Sequence, residues 1–212
     1  KTWEGFLGGL SAALLAGVAV AFILETPPLP FLFVGLICGV AGQIGDPHVR
    51  HRGTIGGSIA NNDPAADYPA AMLALGATIV TDRRRIEAEE FFTGLFETAL
   101  KDDEVITAVT FTAPAKCGYA KFPNPASRYA MTGVFVAAGK DGVKVAVTGA
   151  GEDGVFRSKE IEAALAKTFD VSALEGVSVP ADGLMSDIHA SAEYRANLVA
   201  VMAKRAVAAA NG

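Results

Sequence analysis

The chain has 212 residues, a formal net charge of −5 and an isoelectric point near 5.2. This acidic balance argues against nucleic acid as a partner. The two cysteines, Cys38 and Cys117, lie far apart, so the sequence predicts no disulfide framework and favours a reducing compartment.

A long apolar block opens the sequence and raises its mean hydropathy to +0.34. Residues 5–24 contain no charged side chain and are long enough for a helix to cross a bilayer core of roughly 30 Å. A proline-rich turn follows at residues 25–30, and a second apolar run covers residues 31–45. We therefore predict an apolar helical hairpin at residues 1–45 and a membrane association through residues 5–45.

The glycine-dense segment from Arg52 to Asp67 carries the strongest functional signal. Its loop Thr54–Ser58 can point several backbone N–H groups into one concavity, because glycine permits φ > 0 and a close approach. The helix-compatible run Ala70–Leu75 follows, so a helix N-terminus would add its positive end. Asp63 and Asp67 are placed to accept hydrogen bonds from ribose or ribityl hydroxyls. The pattern outlines a dinucleotide pyrophosphate site that is neither a Walker A loop nor a Rossmann fingerprint.

The remaining periodicity predicts an α+β fold. Asp63 or Asp67 begins a helix that runs to Leu75, and Gly76 ends it. The elements predicted beyond it are, in chain order, a strand at Ala77–Thr81, a turn at Asp82–Arg85, a short helix at Glu89–Gly94, a strand at Val105–Phe111, an antiparallel hairpin of Gly133–Ala138 with Val143–Thr148, and helices at Ile161–Lys167 and Ser191–Ala209.

Simpler interpretations stay open for several of these features. The Thr54–Ser58 loop is alternatively a structural glycine turn, and the basic cluster within residues 48–52 is alternatively a solvated loop. Gly149–Gly154 has the spacing GxGxxG, but the strand before it belongs to a hairpin, so we do not expect a nucleotide there. His189 has no second ligand at metal spacing. We assign no catalytic and no metal-binding residue.

Three separated motifs share one family resemblance. They are RGTIGGSIANNDPAADYPAAMLALGATIV at residues 52–80, YAKFPNPASRYA at residues 119–130 and SDIHASAEYR at residues 186–195. In this order they resemble the flavoprotein (medium) subunit of the molybdenum hydroxylases, which is the carbon monoxide dehydrogenase and xanthine dehydrogenase family. The resemblance covers Asp46 to about Ala209.

This resemblance implies two domains and an oxidoreductase function. Residues 46–113 would form a partial, mixed α/β FAD-binding subdomain, and residues 114–212 a C-terminal domain of antiparallel sheet and helices. Electrons would pass from a molybdenum cofactor in a large subunit, through 2Fe–2S clusters in a small subunit, to FAD in this chain. FAD would hand them to NAD, a quinone or oxygen. Residues 46–212 would be cytoplasmic.

The resemblance also implies the site residues. The backbone N–H groups of the phosphate loop would hold the pyrophosphate; its members are Thr54, Ile55, Gly56, Gly57 and Ser58. Asp67 would accept from a hydroxyl of the FAD chain, Ile106 would lie against the isoalloxazine, and Lys121 would lie near the polar edge of that ring. Surface roles or a contact with a partner subunit are alternatives for Lys121 and Arg128.

The first 45 residues carry a different resemblance. Residues 1–9 and 42–46 resemble phosphatidate cytidylyltransferase, an integral membrane enzyme in which Asp46 would bind metal, but the rest of that family's signature does not follow. We therefore predict a chimera joined near residue 45. The first FAD subdomain, with its AGGxS phosphate loop, is expected to be missing, so this chain should retain FAD weakly or not at all. The alternative functions are CTP-dependent nucleotidyl transfer at the inner membrane and an inactive chimera.

Overall fold

The computed structural model describes residues 37–212. The chain separates into two compact units, residues 1–44 and residues 45–212. Residues 37–43 are helical, which agrees with the second predicted apolar helix, whereas the rest of the predicted hairpin lies outside the described residues. Within residues 37–212, no helix has the length and apolar character needed to span a bilayer.

Three short helices open the second unit. They are α1 (Pro47–Arg52), α2 (Ile55–Asn61) and α3 (Tyr68–Ala74). Asp46 caps α1 because its carboxylate accepts from the backbone N–H groups of His48 and Val49. Asp67 precedes α3, as predicted, but its side chain makes no capping hydrogen bond. Its carboxylate is therefore available for a different partner.

Two small antiparallel sheets follow. The strands β1 (Thr78–Thr81), β2 (Arg85–Glu87) and β5 (Ile106–Thr110) form a sheet in the order β2-β1-β5. Between β2 and β5 lie a short helix, α4 (Ala88–Phe91), and a two-stranded sheet of β3 (Phe92–Gly94) and β4 (Glu97–Thr98). The predicted helix at Glu89–Gly94 is thus wrong in its second half, because residues 92–94 pair with β4 instead of continuing the helix.

The last part of the chain is a four-stranded antiparallel meander with helices. Its strands are β6 (Lys116–Pro123), β7 (Ala130–Gly139), β8 (Gly142–Gly151) and β9 (Gly154–Arg157). The predicted hairpin is confirmed, since Gly133 pairs with Thr148 and Ala138 with Val143. The helices α5 (Lys159–Leu165) and α6 (Ala192–Asn211) follow, separated by a 3₁₀ turn at Val171–Leu174.

Both faces of this four-stranded sheet are covered. One face packs under α6, and its buried side chains include Val134, Val136, Val145, Val147 and Met202. Residues of the opposite parity, such as Tyr119 and Phe135, point to the other face. There α3 packs against β7, β8 and β9, and residues 69–74 of that helix are all buried. This contact fixes the segment that begins with Asp67 onto the sheet. The predicted domain division at residue 113 stays a prediction.

Glu104 gives the first sheet a defined acid response. Its buried carboxylate accepts from the guanidinium of Arg84 at 2.9 Å and from the hydroxyl of Thr81 at 2.7 Å. The hydrogen bonds from Arg84, followed by that from Thr81, lower the pKa of Glu104 from 4.5 to about 2. Because the folded pKa is depressed, the stabilisation is complete above pH 4.5 and is lost as the pH falls toward 2.

We therefore expect the free energy of unfolding of wild-type protein to fall more steeply with acidification than that of Glu104→Gln. The measurement is urea denaturation at a series of pH values below neutrality. Glu90→Gln, at an exposed glutamate, is the matched control and should follow the wild-type curve. Equal acid slopes for wild type and Glu104→Gln would contradict the assignment.

Candidate functional site

The predicted phosphate loop is the first turn of α2. Thr54 is its N-cap, and the threonine hydroxyl accepts from the Gly57 N–H at 3.0 Å. Gly56 and Gly57 are helical and neither has positive φ, so the segment is the start of a helix and not the predicted loop. In the described part of the chain, no acceptor contacts the N–H groups of Ile55 and Gly56. Two donors at an exposed helix start thus remain for an anion.

Ile106 lies beside this turn. A Cβ built on Gly56 would be 3.9 Å from Cβ and Cγ2 of Ile106, which is ordinary van der Waals contact. The strand β5 and the start of α2 are therefore neighbours, and two of the residues predicted from sequence come together. The first turn of α2 contains no acidic residue that would repel an anion. The arrangement combines free N–H donors with a half-buried apolar side chain.

The segment between α2 and α3 is anchored on β8. The Thr148 hydroxyl lies 3.0 Å from the Pro64 carbonyl and 2.7 Å from the Ala66 carbonyl, and the Gly149 N–H donates to the Pro64 carbonyl at 2.7 Å. At the start of the segment Asn62 has φ 45° and is buried. Its side chain binds the carbonyls of residues 94 and 97 at 2.8 and 2.9 Å. These contacts fix the direction in which Asp67 enters α3.

Asp67 forms a buried cluster with Tyr119 and Lys121 of β6. Both carboxylate oxygens accept from the Lys121 ammonium, at 2.9 and 3.1 Å, and Oδ1 also accepts from the Tyr119 hydroxyl. The side chains of Asp67 and Lys121 are only 2% and 5% exposed. Burial raises the pKa of Asp67, and the ammonium and hydroxyl act against that rise. Burial also raises the pKa of Tyr119 well above its usual value.

The partners of Asp67 were not predicted. In the structure its carboxylate accepts from two residues of β6, while the predicted contact with a cofactor hydroxyl stays a prediction. Tyr119 is the member that the sequence did not single out. The signal was present, because residues two apart on a strand point to the same face. If Tyr119 had been considered together with Lys121, the sequence would have identified it.

The remaining candidate residues lie elsewhere. Arg128 is exposed in the β6–β7 turn with φ 64°. Gly149–Gly154 spans the β8–β9 turn, where Gly151 pairs with Gly154. The strand before it, β8, belongs to the predicted hairpin with β7. His189 is a turn residue whose N–H donates to Asp187. Among residues 37–212, no group of histidine, cysteine or acidic side chains has the geometry of a metal site.

Residues 21–114 match the family described as the FAD binding domain in molybdopterin dehydrogenase. This region is an FAD-binding domain. The match begins upstream of the predicted start at residue 46. The cytidylyltransferase fragment and the junction near residue 45 stay predictions.

Relatives of known identity match a longer part of the chain than the FAD-binding domain alone. The nicotine 6-hydroxylase medium subunit of Paenarthrobacter nicotinovorans is 32% identical over 191 residues, which are 81% of this chain and 65% of that subunit. The carbon monoxide dehydrogenase medium chain of Hydrogenophaga pseudoflava is 29% identical over 94% of this chain and 75% of its own length. The chain thus spans 65% of the first relative and 75% of the second.

Solved structures carry the same fold. Carbon monoxide dehydrogenase from Hydrogenophaga pseudoflava superposes with a TM-score of 0.69 at 31% identity, covering 85% of this chain and 66% of that one. Quinoline 2-oxidoreductase from Pseudomonas putida 86 gives 0.70 at 26% identity, covering 84% and 68%. The chain therefore has the fold of these oxidoreductase subunits, with mixed helices and antiparallel sheets. This holds for the FAD-binding domain and for the region after it.

The described residues fit FAD as the cofactor of the domain. The two free N–H groups at Ile55 and Gly56 suit phosphate oxygens, since a helix start favours negative charge. Ile106 offers an apolar surface beside them. The arginines of α1, Arg50 and Arg52, precede the same turn in the chain and carry positive charge.

Proposed function

We propose that this chain is the FAD-binding, electron-transferring subunit of a molybdenum hydroxylase complex. The observation that carries the proposal is the family match of residues 21–114, supported by medium subunits of dehydrogenases and hydroxylases among the relatives. The partners are a molybdenum-binding large subunit and a small subunit with 2Fe–2S clusters. NAD, a quinone or oxygen is the acceptor, and residues 46–212 are cytoplasmic.

The residues of this chain bind and orient the cofactor. Backbone N–H groups of Ile55 and Gly56 donate to the pyrophosphate, and the Thr54 cap holds the turn that presents them. Ile106 packs against the ring system and excludes water from one side of it. Lys121 places a positive charge near the polar edge of the ring. Bound FAD supplies the redox chemistry, which no side chain of the site provides by itself.

The test of the proposal is FAD affinity with a variant that the fold tolerates. Gly56→Ala adds a methyl group in ordinary contact with Ile106 and favours the helix by up to about 1 kcal/mol. The protein should therefore stay as stable as wild type. The same methyl group holds phosphate away from the N–H, so we expect FAD to bind roughly tenfold more weakly, as for the loss of one hydrogen bond to a charged group.

The measurement is titration of the purified chain with FAD, followed by flavin fluorescence, together with thermal melting. Asn61→Ala changes an exposed residue at the opposite end of α2 and should bind FAD like wild type. A wild-type chain that binds no FAD would overturn the proposal. Unchanged affinity in Gly56→Ala would move the pyrophosphate away from α2 while leaving FAD binding in place.

A further inference from the structure

Asn62 connects the end of α2 to the β3–β4 turn. Its side-chain amide donates to the carbonyl of Gly94 in β3 at 2.8 Å and to that of Glu97 in β4 at 2.9 Å, while its own carbonyl accepts from the Phe96 N–H at 3.2 Å. The residue is only 1% exposed. One NH₂ group supplies both side-chain donors, which fixes the orientation of the amide because an oxygen in its place would face two acceptors. A single side chain therefore holds both strands of the turn.

The helix α2 needs an anchor of this kind. It has seven residues, two of which are glycines, and a helix so short and so rich in glycine is not stable by itself. The Thr54 hydroxyl caps its first turn, and Asn62 ends it with a left-handed φ of 45°. Between these ends, Gly56 lies beside Ile106 of β5. The position of α2 thus depends on the contacts at its two ends and on its packing against β5.

The anchor is local to the FAD-binding domain. Asn62 and the β3–β4 turn both lie within the family match of residues 21–114. In the described part of the chain, no hydrogen bond of the Asn62 side chain reaches the four-stranded sheet β6–β9. Asn62 can therefore act on α2 without changing the larger core of the protein.

We propose that Asn62 is a positioning residue for FAD, which keeps α2 in its place beside Ile106 by joining the helix to the β3–β4 turn. The inference rests on the proposed function, which assigns cofactor contacts to α2 and to Ile106. Because Asn62 holds the helix before the cofactor arrives, binding does not include the entropic cost of ordering it. Without the two side-chain hydrogen bonds, that cost is subtracted from the free energy of binding.

Asn62→Gly tests the proposal in the full chain. Glycine adopts a φ of 45° without strain, so the variant keeps the backbone path and loses only the two side-chain hydrogen bonds. We expect FAD to bind roughly tenfold more weakly in a titration followed by flavin fluorescence. Asn61→Gly is the matched control, because it adds a glycine at the neighbouring exposed position, and its affinity should stay within about twofold of wild type. Wild-type affinity in Asn62→Gly, or an equal loss in Asn61→Gly, would overturn the inference.

Amide hydrogen exchange separates the positioning of α2 from a general structural role. Without FAD, the amides of α2 should exchange at least about tenfold faster in Asn62→Gly than in wild type, and saturating FAD should return them to the wild-type rate. The amides of β7 and β8 should exchange as in wild type throughout. A loss of protection of the same size in β7 and β8, or a loss in α2 that FAD does not reverse, would show a purely structural role and contradict the inference.

The wild-type protein provides a test that does not depend on a variant that folds. Because Asn62 joins them, α2 and the β3–β4 turn should lose protection together as urea is raised below the unfolding transition. Opening of α2 at a lower urea concentration than the turn would mean that Asn62 does not hold the helix. If Asn62→Gly binds FAD like wild type, the inference fails while the proposed function stands. If wild type itself takes up no FAD, the proposed function fails and the inference falls with it.

Discussion

Replacing Gly118 by alanine should cause one of the largest losses of stability in this protein. Gly118 lies in β6 opposite Val136 of β7, on the face that α6 covers. A Cβ at this position would overlap the backbone carbonyl of Ala206 and lie 3.0 Å from the backbone nitrogen of Ala210. Neither atom can rotate away, so the whole of α6 must shift. We expect the free energy of unfolding to fall by at least about 3 kcal/mol.

The measurement is urea denaturation with thermal melting of Gly118→Ala beside wild type. For a domain of this size the loss corresponds to a drop in Tm of about 6–12 °C. Gly139→Ala is the matched control in the same sheet, because its nearest neighbour is the Cα of Pro114 at 3.7 Å, an ordinary contact. Its unfolding free energy should change by less than about 1 kcal/mol. Equal effects at both glycines would show that α6 does not rest on β6 at Gly118.

The elements predicted correctly are those with a local cause. The turn Lys140-Asp141-Gly142 separates two apolar runs, and Gly142 adopts φ 93°, as a tight hairpin requires. The terminal helix was found from its own periodicity, and Ser191 caps it. In each case neighbours in sequence are also neighbours in space, so pattern alone was sufficient.

The start of α2 was misjudged for a physical reason. Glycine has a low helix propensity, so Gly56 and Gly57 suggested a loop. The Thr54 cap and the apolar residues after it outweigh that preference, and the fold forms a helix. Of the residues predicted for the phosphate, Ile55 and Gly56 keep N–H groups without an acceptor in the described part of the chain, because the first turn of a helix leaves such groups free. The N–H groups of Gly57 and Ser58 instead donate to Thr54.

Contacts between distant residues were not accessible from the sequence. Asp67 and Lys121 are 54 residues apart, and Thr148 reaches Pro64 across 84 residues. The β3–β4 turn was missed because Phe96 adopts φ 55°, a conformation that no aromatic residue signals. The candidate site was thus predictable as a set of residues, whereas the partners that orient them were not.

Arg195 is the second residue whose loss should be severe. Its side chain is buried at 3% exposure, where Nη1 donates to the carbonyls of Met131 and Gly149 at 2.6 and 2.7 Å and Nη2 to Asp187 at 2.7 Å. The arginine thereby joins the start of α6 to β7, to β8 and to the turn at Asp187. Burial acts to raise the pKa of Asp187, but backbone N–H groups and Arg195 outweigh it and lower that pKa.

Arg195→Met keeps the apolar stem and removes every donor, so two backbone carbonyls lose their partner inside the protein. We expect the free energy of unfolding to fall by about 3–5 kcal/mol. Because the Gly149 N–H also holds Pro64, loosening β8 at this point should weaken FAD binding as well. Asp187→Asn is the control: it removes the charge that Arg195 contacts but keeps an acceptor for the turn, and it should cost no more than about 1–2 kcal/mol. The measurement is urea denaturation of both variants. If the free energy of unfolding fell as little in Arg195→Met as in Asp187→Asn, the carbonyls of Met131 and Gly149 would have found other donors.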